Sequence, residues 1–132
     1  MPKPGNSSAW SYSVLTRFEQ CPRKYYHLTV AKDVADTPGE AATWGLQVHK
    51  AAEDYSRGVA ELPVEVAHTK PLIDRLMAVP GEKLVEHRIG VTAAFEPCDF
   101  FADNVWYRGV IDLAVVGERE ALAVDYKTGK QK

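Results

Sequence analysis

One hairpin near the C-terminal end constrains this chain more than any other segment. Val110 to Val116 and Ala121 to Tyr126 are strand-like, and Glu118-Arg119 between them offers a reversal. A turn there sets an antiparallel register in which paired positions sum to 237. Asp112 then lies opposite Asp125, and Ala114 opposite Ala123. Period-two alternation puts Ile111, Leu113, Val115, Leu122 and Val124 on one face, which reads as the core side. The other face carries Asp112, Ala114, Ala123, Asp125 and Lys127. Directly opposed residues hold their Cβ atoms about 4.5–5.5 Å apart, and like charges there destabilise a sheet. A cation between Asp112 and Asp125 removes that penalty.

The segments upstream are helical first and stranded later. Ser13 is in place to cap a helix through Val14, Leu15 and Phe18. Cys21-Pro22 interrupts it, because proline fits a first helical turn but not an interior. Arg23 to Leu28 continues as a second segment. Thr37-Pro38-Gly39-Glu40 opens a longer helix to about Arg57-Gly58. Its Trp44, Val48, Ala51 and Tyr55 make one apolar stripe, read as core. The neighbouring stripe of Ala42, Gly45, His49 and Ala52 is small except for the histidine, and brings His49 close to a sheet. Leu72 to Met77 reads as a short helix, and Leu84 to Phe95 alternates as a strand. The expected class is mixed α/β or α+β, a β-sheet flanked by helices behind an N-terminal helical segment.

Size and composition set the outer bounds. The 132 residues suit one domain over 1–132, with 1–12 a flexible lead-in, 13–80 mainly helical and 83–127 carrying strands. A net charge of −2 gives no global positive field, so any nucleic-acid contact rests on local patches. No apolar run reaches a membrane span and no leader is evident, which points to a cytoplasmic protein without a membrane partner. Cys21 and Cys98 are then expected as reduced thiols, Cys21 buried.

Five motifs in order resemble the RecB-like nucleases of the PD-(D/E)XK superfamily, to which the CRISPR-associated RecB-like nucleases also belong. The run from Ser13 through Phe18-Glu19-Gln20-Cys21-Pro22-Arg23-Lys24-Tyr25 looks like the N-terminal signature. Gly45-Leu46-Gln47-Val48-His49 matches the Gly-to-His helix motif. Glu86, Gly109-Val110-Ile111-Asp112 and Asp125-Tyr126-Lys127-Thr128-Gly129-Lys130 match the later ones.

The resemblance implies a restriction-endonuclease-like core and metal-dependent cleavage of phosphodiester bonds in DNA, on single strands or at ends. His49, Asp112, Asp125 and the Tyr126 carbonyl would ligate Mg²⁺ or Mn²⁺, the histidine favouring Mn²⁺. Lys127 would orient the attacking water and stabilise transition-state charge, and Glu86 would bind a second metal or orient a water. Arg17, Arg23 and Lys24 are candidates for phosphate contacts. A helicase or other recombination subunit is an expected partner.

Two departures from the family pattern stand out. The chain stops five residues after Lys127, short of the usual helix with its Gln-x-x-x-Tyr, and Gln131 sits too near to replace that glutamine. Cys21 occupies the first cysteine position of iron–sulfur members, but the C-terminal trio is missing, so no such cluster can be built within this chain. Each residue also has a plain reading. Asp112 and Asp125 suit the solvated face of a hairpin, His49 a helix surface, and Glu86 a strand surface. Phe18, Tyr25 and Tyr26 read as packing against the core. Two functions therefore compete: a metal-dependent nuclease, and a non-catalytic DNA-binding or assembly module left by loss of the C-terminal part.

Overall fold

The computed structural model describes residues 9–129; the expectations for residues 1–8, Lys130 and Gln131 lie outside them. The chain divides into two compact units, Met1–Thr37 with Arg88–Val110, and Pro38–His87 with Ile111–Lys132. The strands are β1 (Glu82–Val91), β2 (Pro97–Cys98), β3 (Tyr107–Val116) and β4 (Ala121–Val124), in the sheet order β2-β1-β3-β4. Gly90 and Val91 pair antiparallel with Cys98 and Pro97. The described strand pairings are antiparallel, where a mixed sheet was expected, and an isolated parallel bridge joins Trp10 to Tyr107 outside the sheet's strands.

In the first unit, helix α1 (Tyr12–Gln20) starts two residues earlier than expected. Ser11, not Ser13, is the cap: its Oγ accepts from the Val14 N–H at 3.3 Å. Ser13 lies inside the first turn, its hydroxyl 3.2 Å from that of Ser11. Cys21 ends α1 in extended conformation and caps the short α2 (Pro22–Tyr25), its Sγ accepting from the Lys24 N–H at 3.4 Å. A π-helical stretch, Tyr26–Ala31, follows and closes at Lys32 in the left-handed region.

Ala9 is buried, and Trp10 stacks on Tyr25 at 5.5 Å with Phe18 edge-on to both rings. Tyr26 and Phe18 keep much of their surface exposed, so only Tyr25 packs as the sequence suggests. Cys21 is exposed, not buried; capping holds its sulfur at a helix junction instead of in a core.

The second unit holds α3 (Glu40–Ser56), a 3₁₀ turn (Val64–Thr69), α4 (Lys70–Met77) and the hairpin of β3 with β4. Of the two α3 stripes, only the small one includes a buried residue. Ala52 is buried, whereas Trp44 is 43% exposed and leaves the core expected for it. The hairpin register is the expected one: Leu113↔Val124, Ala114↔Ala123, Val115↔Leu122 and Val116↔Ala121. Its turn closes with the Gly117 N–H donating to the Glu120 carbonyl at 2.8 Å.

The expected two-faced alternation fails over the middle of β3. Leu113, Ala114 and Val115 are all buried, as in a strand covered on both sides. Gly81 leads into β1 at φ +132°, where a Cβ would sit 2.7 Å from the Val116 carbonyl oxygen, so only glycine fits. Strand β1 stops at Val91, short of Phe95. Thr92 N–H donates to the Glu96 carbonyl at 2.9 Å, and Phe95 turns at φ +61°.

Leu113 has no exposed surface, whereas its hairpin neighbour Leu122 is 42% exposed. Leu113→Ala is expected to cost about 2–5 kcal/mol and Leu122→Ala under about 1 kcal/mol. Urea denaturation monitored by tryptophan fluorescence measures both, and equal costs would contradict this difference in burial.

Candidate metal centre

Three side chains from three elements of the second unit converge. His49 comes from α3, Glu86 from β1 and Asp112 from β3, and each offers a ligand atom within 4.8 Å of the others. The small residues of α3 permit this closeness. A Cβ on Gly45 would lie 3.2 Å from Thr128 Oγ1, so the segment after β4 runs hard against the helix. His49 Nδ1 sits 3.2 Å from Asp112 Oδ1, and Asp112 Oδ2 accepts the Tyr126 N–H at 2.6 Å. The Tyr126 ring meets the His49 ring edge-on at 6.2 Å.

Glu86 is held under two kinds of stress. Its backbone is left-handed at φ +49° in the middle of a strand, a conformation that costs a side-chain-bearing residue on the order of 1–3 kcal/mol. Its carboxyl is pushed up from the ordinary glutamate range by burial, then by the charges of Asp112 and Glu53; His49 and Arg57 pull it back down. Like charges gathered in a partly buried pocket are what a cation would relieve.

Tyr126 adds a second unmet need. Its hydroxyl is buried with no partner in hydrogen-bonding geometry, and its pKa is raised by burial first and by Asp112 second. Ser56 lies close enough to draw that pKa down.

The sequence reading missed Glu53 and Arg57. They follow His49 on α3 at intervals of four, the spacing that stacks side chains on one helix face. Glu53 Oε1 pairs with Arg57 Nη1 at 3.3 Å, and Arg57 Nη2 donates to the Val85 carbonyl at 3.1 Å, one residue from Glu86. That periodicity was the available signal.

Asp125 is placed differently from its expected position opposite Asp112. The described ladder ends at Leu113↔Val124, so the strict alternation no longer directs Asp125. Asp112 keeps 10% of its side chain exposed, Asp125 64%, and Asp125 forms an ion pair with Lys127. Asp125 therefore stands outside the His49–Glu86–Asp112 group. In the first unit, Arg17 is engaged by Asp36 and donates to Thr29 Oγ1 at 3.1 Å, while Arg23 and Lys24 are exposed.

The donor set fits a divalent cation, with one imidazole nitrogen and two carboxylates around an otherwise repulsive pocket.

A carboxyl with a raised folded pKa binds its proton more tightly in the folded state. Its contribution is unfavourable above that pKa and vanishes as pH falls below the unfolded value. In chelator, Glu86→Gln is expected to be more stable than the wild type at about pH 8 and to lose that advantage towards about pH 4. Urea titrations across this range test it; an advantage independent of pH would remove Glu86 from the charge cluster.

Comparison with known proteins adds a family to this geometry. Residues 9–90, more than half of the chain, match the family model of the PD-(D/E)XK nuclease superfamily. The match includes His49 and Glu86 and ends before Asp112. No curated protein and no solved structure matches the chain. Among the described residues, no helix is long and apolar enough to cross a membrane. With a matched α/β scaffold and a helix histidine set beside two strand carboxylates, this chain belongs to the PD-(D/E)XK nuclease superfamily.

Proposed function

We infer that this chain is a divalent-metal-dependent deoxyribonuclease of the RecB-like kind, acting on single strands or DNA ends. The observation that carries the reading is the convergence of His49, Glu86 and Asp112 within 4.8 Å, with the Glu86 carboxyl pushed up by burial and then by its neighbours' charge. These three residues would hold Mg²⁺ or Mn²⁺, with the Tyr126 carbonyl available beside them. When bound, the metal supplies a lowered water pKa and polarisation of the scissile phosphate.

The chain's own residues set the stage for that chemistry. Asp112 fixes the Tyr126 backbone, and through it the direction in which the next residues leave the sheet. His49, oriented by Asp112, presents its ring to the same pocket. Lys127 is a compact positive charge one residue beyond Tyr126, suited to holding a phosphate oxygen as negative charge develops. In that role its ammonium would exchange the Asp125 carboxylate for the phosphate. DNA repair, recombination or phage DNA metabolism in the cytoplasm is the proposed setting, with a helicase or similar subunit as partner.

One observation favours the rival reading, a non-catalytic DNA-binding or assembly module. Asp125 and Lys127 pair with each other at the surface, outside the three-residue cluster.

Cleavage of linear single- and double-stranded DNA with Mg²⁺, Mn²⁺ or EDTA decides between them. The nuclease reading expects activity that EDTA abolishes and that Asp112→Asn and Lys127→Ala each lower by about 10²–10³-fold. Manganese titration followed by paramagnetic resonance should show binding lost in Asp112→Asn and kept in Lys127→Ala. Cleavage indifferent to EDTA or to Lys127 would sink the mechanism. DNA binding without cleavage under any metal would establish the module.

A further inference from the structure

The first unit carries a basic and aromatic cluster that the metal centre does not use. Phe100 and Phe101 meet edge to face at 4.9 Å. Two guanidinium groups, on β1 and β3, converge on the same two rings. Arg88 lies 5.4 Å from the Phe100 centroid and 5.5 Å from Phe101; Arg108 lies 4.7 and 5.6 Å from them. Arg108 Nη1 also donates to the Phe100 carbonyl at 3.3 Å.

Guanidinium groups gathered this closely repel each other, and the ring faces offset only part of that. Among the described residues, neither arginine forms an ion pair within hydrogen-bonding range of a carboxylate. An anion is what the cluster lacks. Phe101 is meanwhile 70% exposed, a cost in water that a core residue would not carry. The same unit exposes a second ring pair, Phe95 against Trp106 at 5.7 Å, with Phe95 kept in the left-handed region. Strain maintained on a protruding aromatic is a recurrent mark of a binding surface.

A polymer with alternating phosphates and flat, unpaired bases satisfies both needs at once. Phosphates neutralise guanidinium pairs, and bases stack on exposed rings without regard to sequence. We propose that Arg88, Arg108 and Phe101 form a contact surface for single-stranded nucleic acid, the arginines holding phosphates and Phe101 stacking a base. The surface shares its partner with the nuclease reading but stands on residues outside the metal centre and outside the segment around Arg17, Arg23 and Lys24. A duplex presents phosphates but no free base face, so it should profit from the arginines alone.

The test is fluorescence anisotropy of a labelled twenty-nucleotide oligothymidine with the whole chain, in EDTA so that cleavage plays no part. Phe101→Ala is expected to weaken binding on the order of ten-fold with an unchanged salt slope, and Phe101→Trp to restore it. Arg88→Ala should weaken binding and reduce the slope of log affinity against log salt by about 0.7. A duplex of equal length should respond to Arg88→Ala and not to Phe101→Ala. Wild-type affinity in both alanine variants, or no binding of the strand by the wild type, would overturn the proposal. So would equal loss of duplex and single-strand binding in Phe101→Ala. Asp112→Asn should bind normally in EDTA while, with Mg²⁺ or Mn²⁺ supplied in a separate assay, losing the cleavage shown by the wild type, which separates this surface from the nuclease reading.

Discussion

The second unit is organised around both oxygens of Asp112. A carboxylate with little access to water requires donors, since an ionised group left unpaired costs far more than an unmet neutral one. Asp112 finds them on two separate pieces of chain: the His49 ring on α3 and the Tyr126 amide just past β4. One side chain thus fixes the helix against the sheet and sets where the strand after the hairpin departs. The surrounding packing is consistent with that role. Ala52 and Gly45 keep α3 thin on that side, and the consecutive burial of Leu113, Ala114 and Val115 anchors the strand from which Asp112 projects.

Strict periodicity accounts for the parts of the fold and site that were legible in the sequence. The hairpin register could be read because alternation of period two leaves no freedom once the turn is placed, and all four observed pairs obey it. The convergence of His49 with Asp112 was legible through the stripe of small residues on α3. Where one rule competed with another, reading failed. Trp44 outranks Ala52 in hydrophobicity, yet the close approach of another segment selects the small face and leaves the tryptophan outside. Ser11 and Ser13 are equally good caps in composition, and only the path of the preceding strand-like residues, tied through Trp10, selects Ser11. The left-handed turn of Glu86 has no sequence signal at all, because glutamate has no preference for that region.

Asp125 marks the point where periodicity loses its authority. Opposition to Asp112 required the ladder to continue one pair further than it does. With the ladder ended, the Tyr126 amide donates to the Asp112 carboxylate. Asp125 is then directed outward, where Lys127 neutralises it at little cost, as exposed pairs do.

Glu86 joins His49 and Asp112, and it does so under strain. A left-handed backbone, a partly buried carboxyl and two neighbouring acids all oppose its position, and each would be relieved by a different residue there. Glycine would remove the first, glutamine the second and third. A divalent ion held by His49, Glu86 and Asp112 would turn the repulsion between two carboxylates into joint attraction to one charge. The backbone strain is unaffected by the ion and remains as a fixed cost. A cation bound there would thus offset the repulsion that the folded chain leaves among these groups, and would contribute to the fold's energetics as well as to its chemistry.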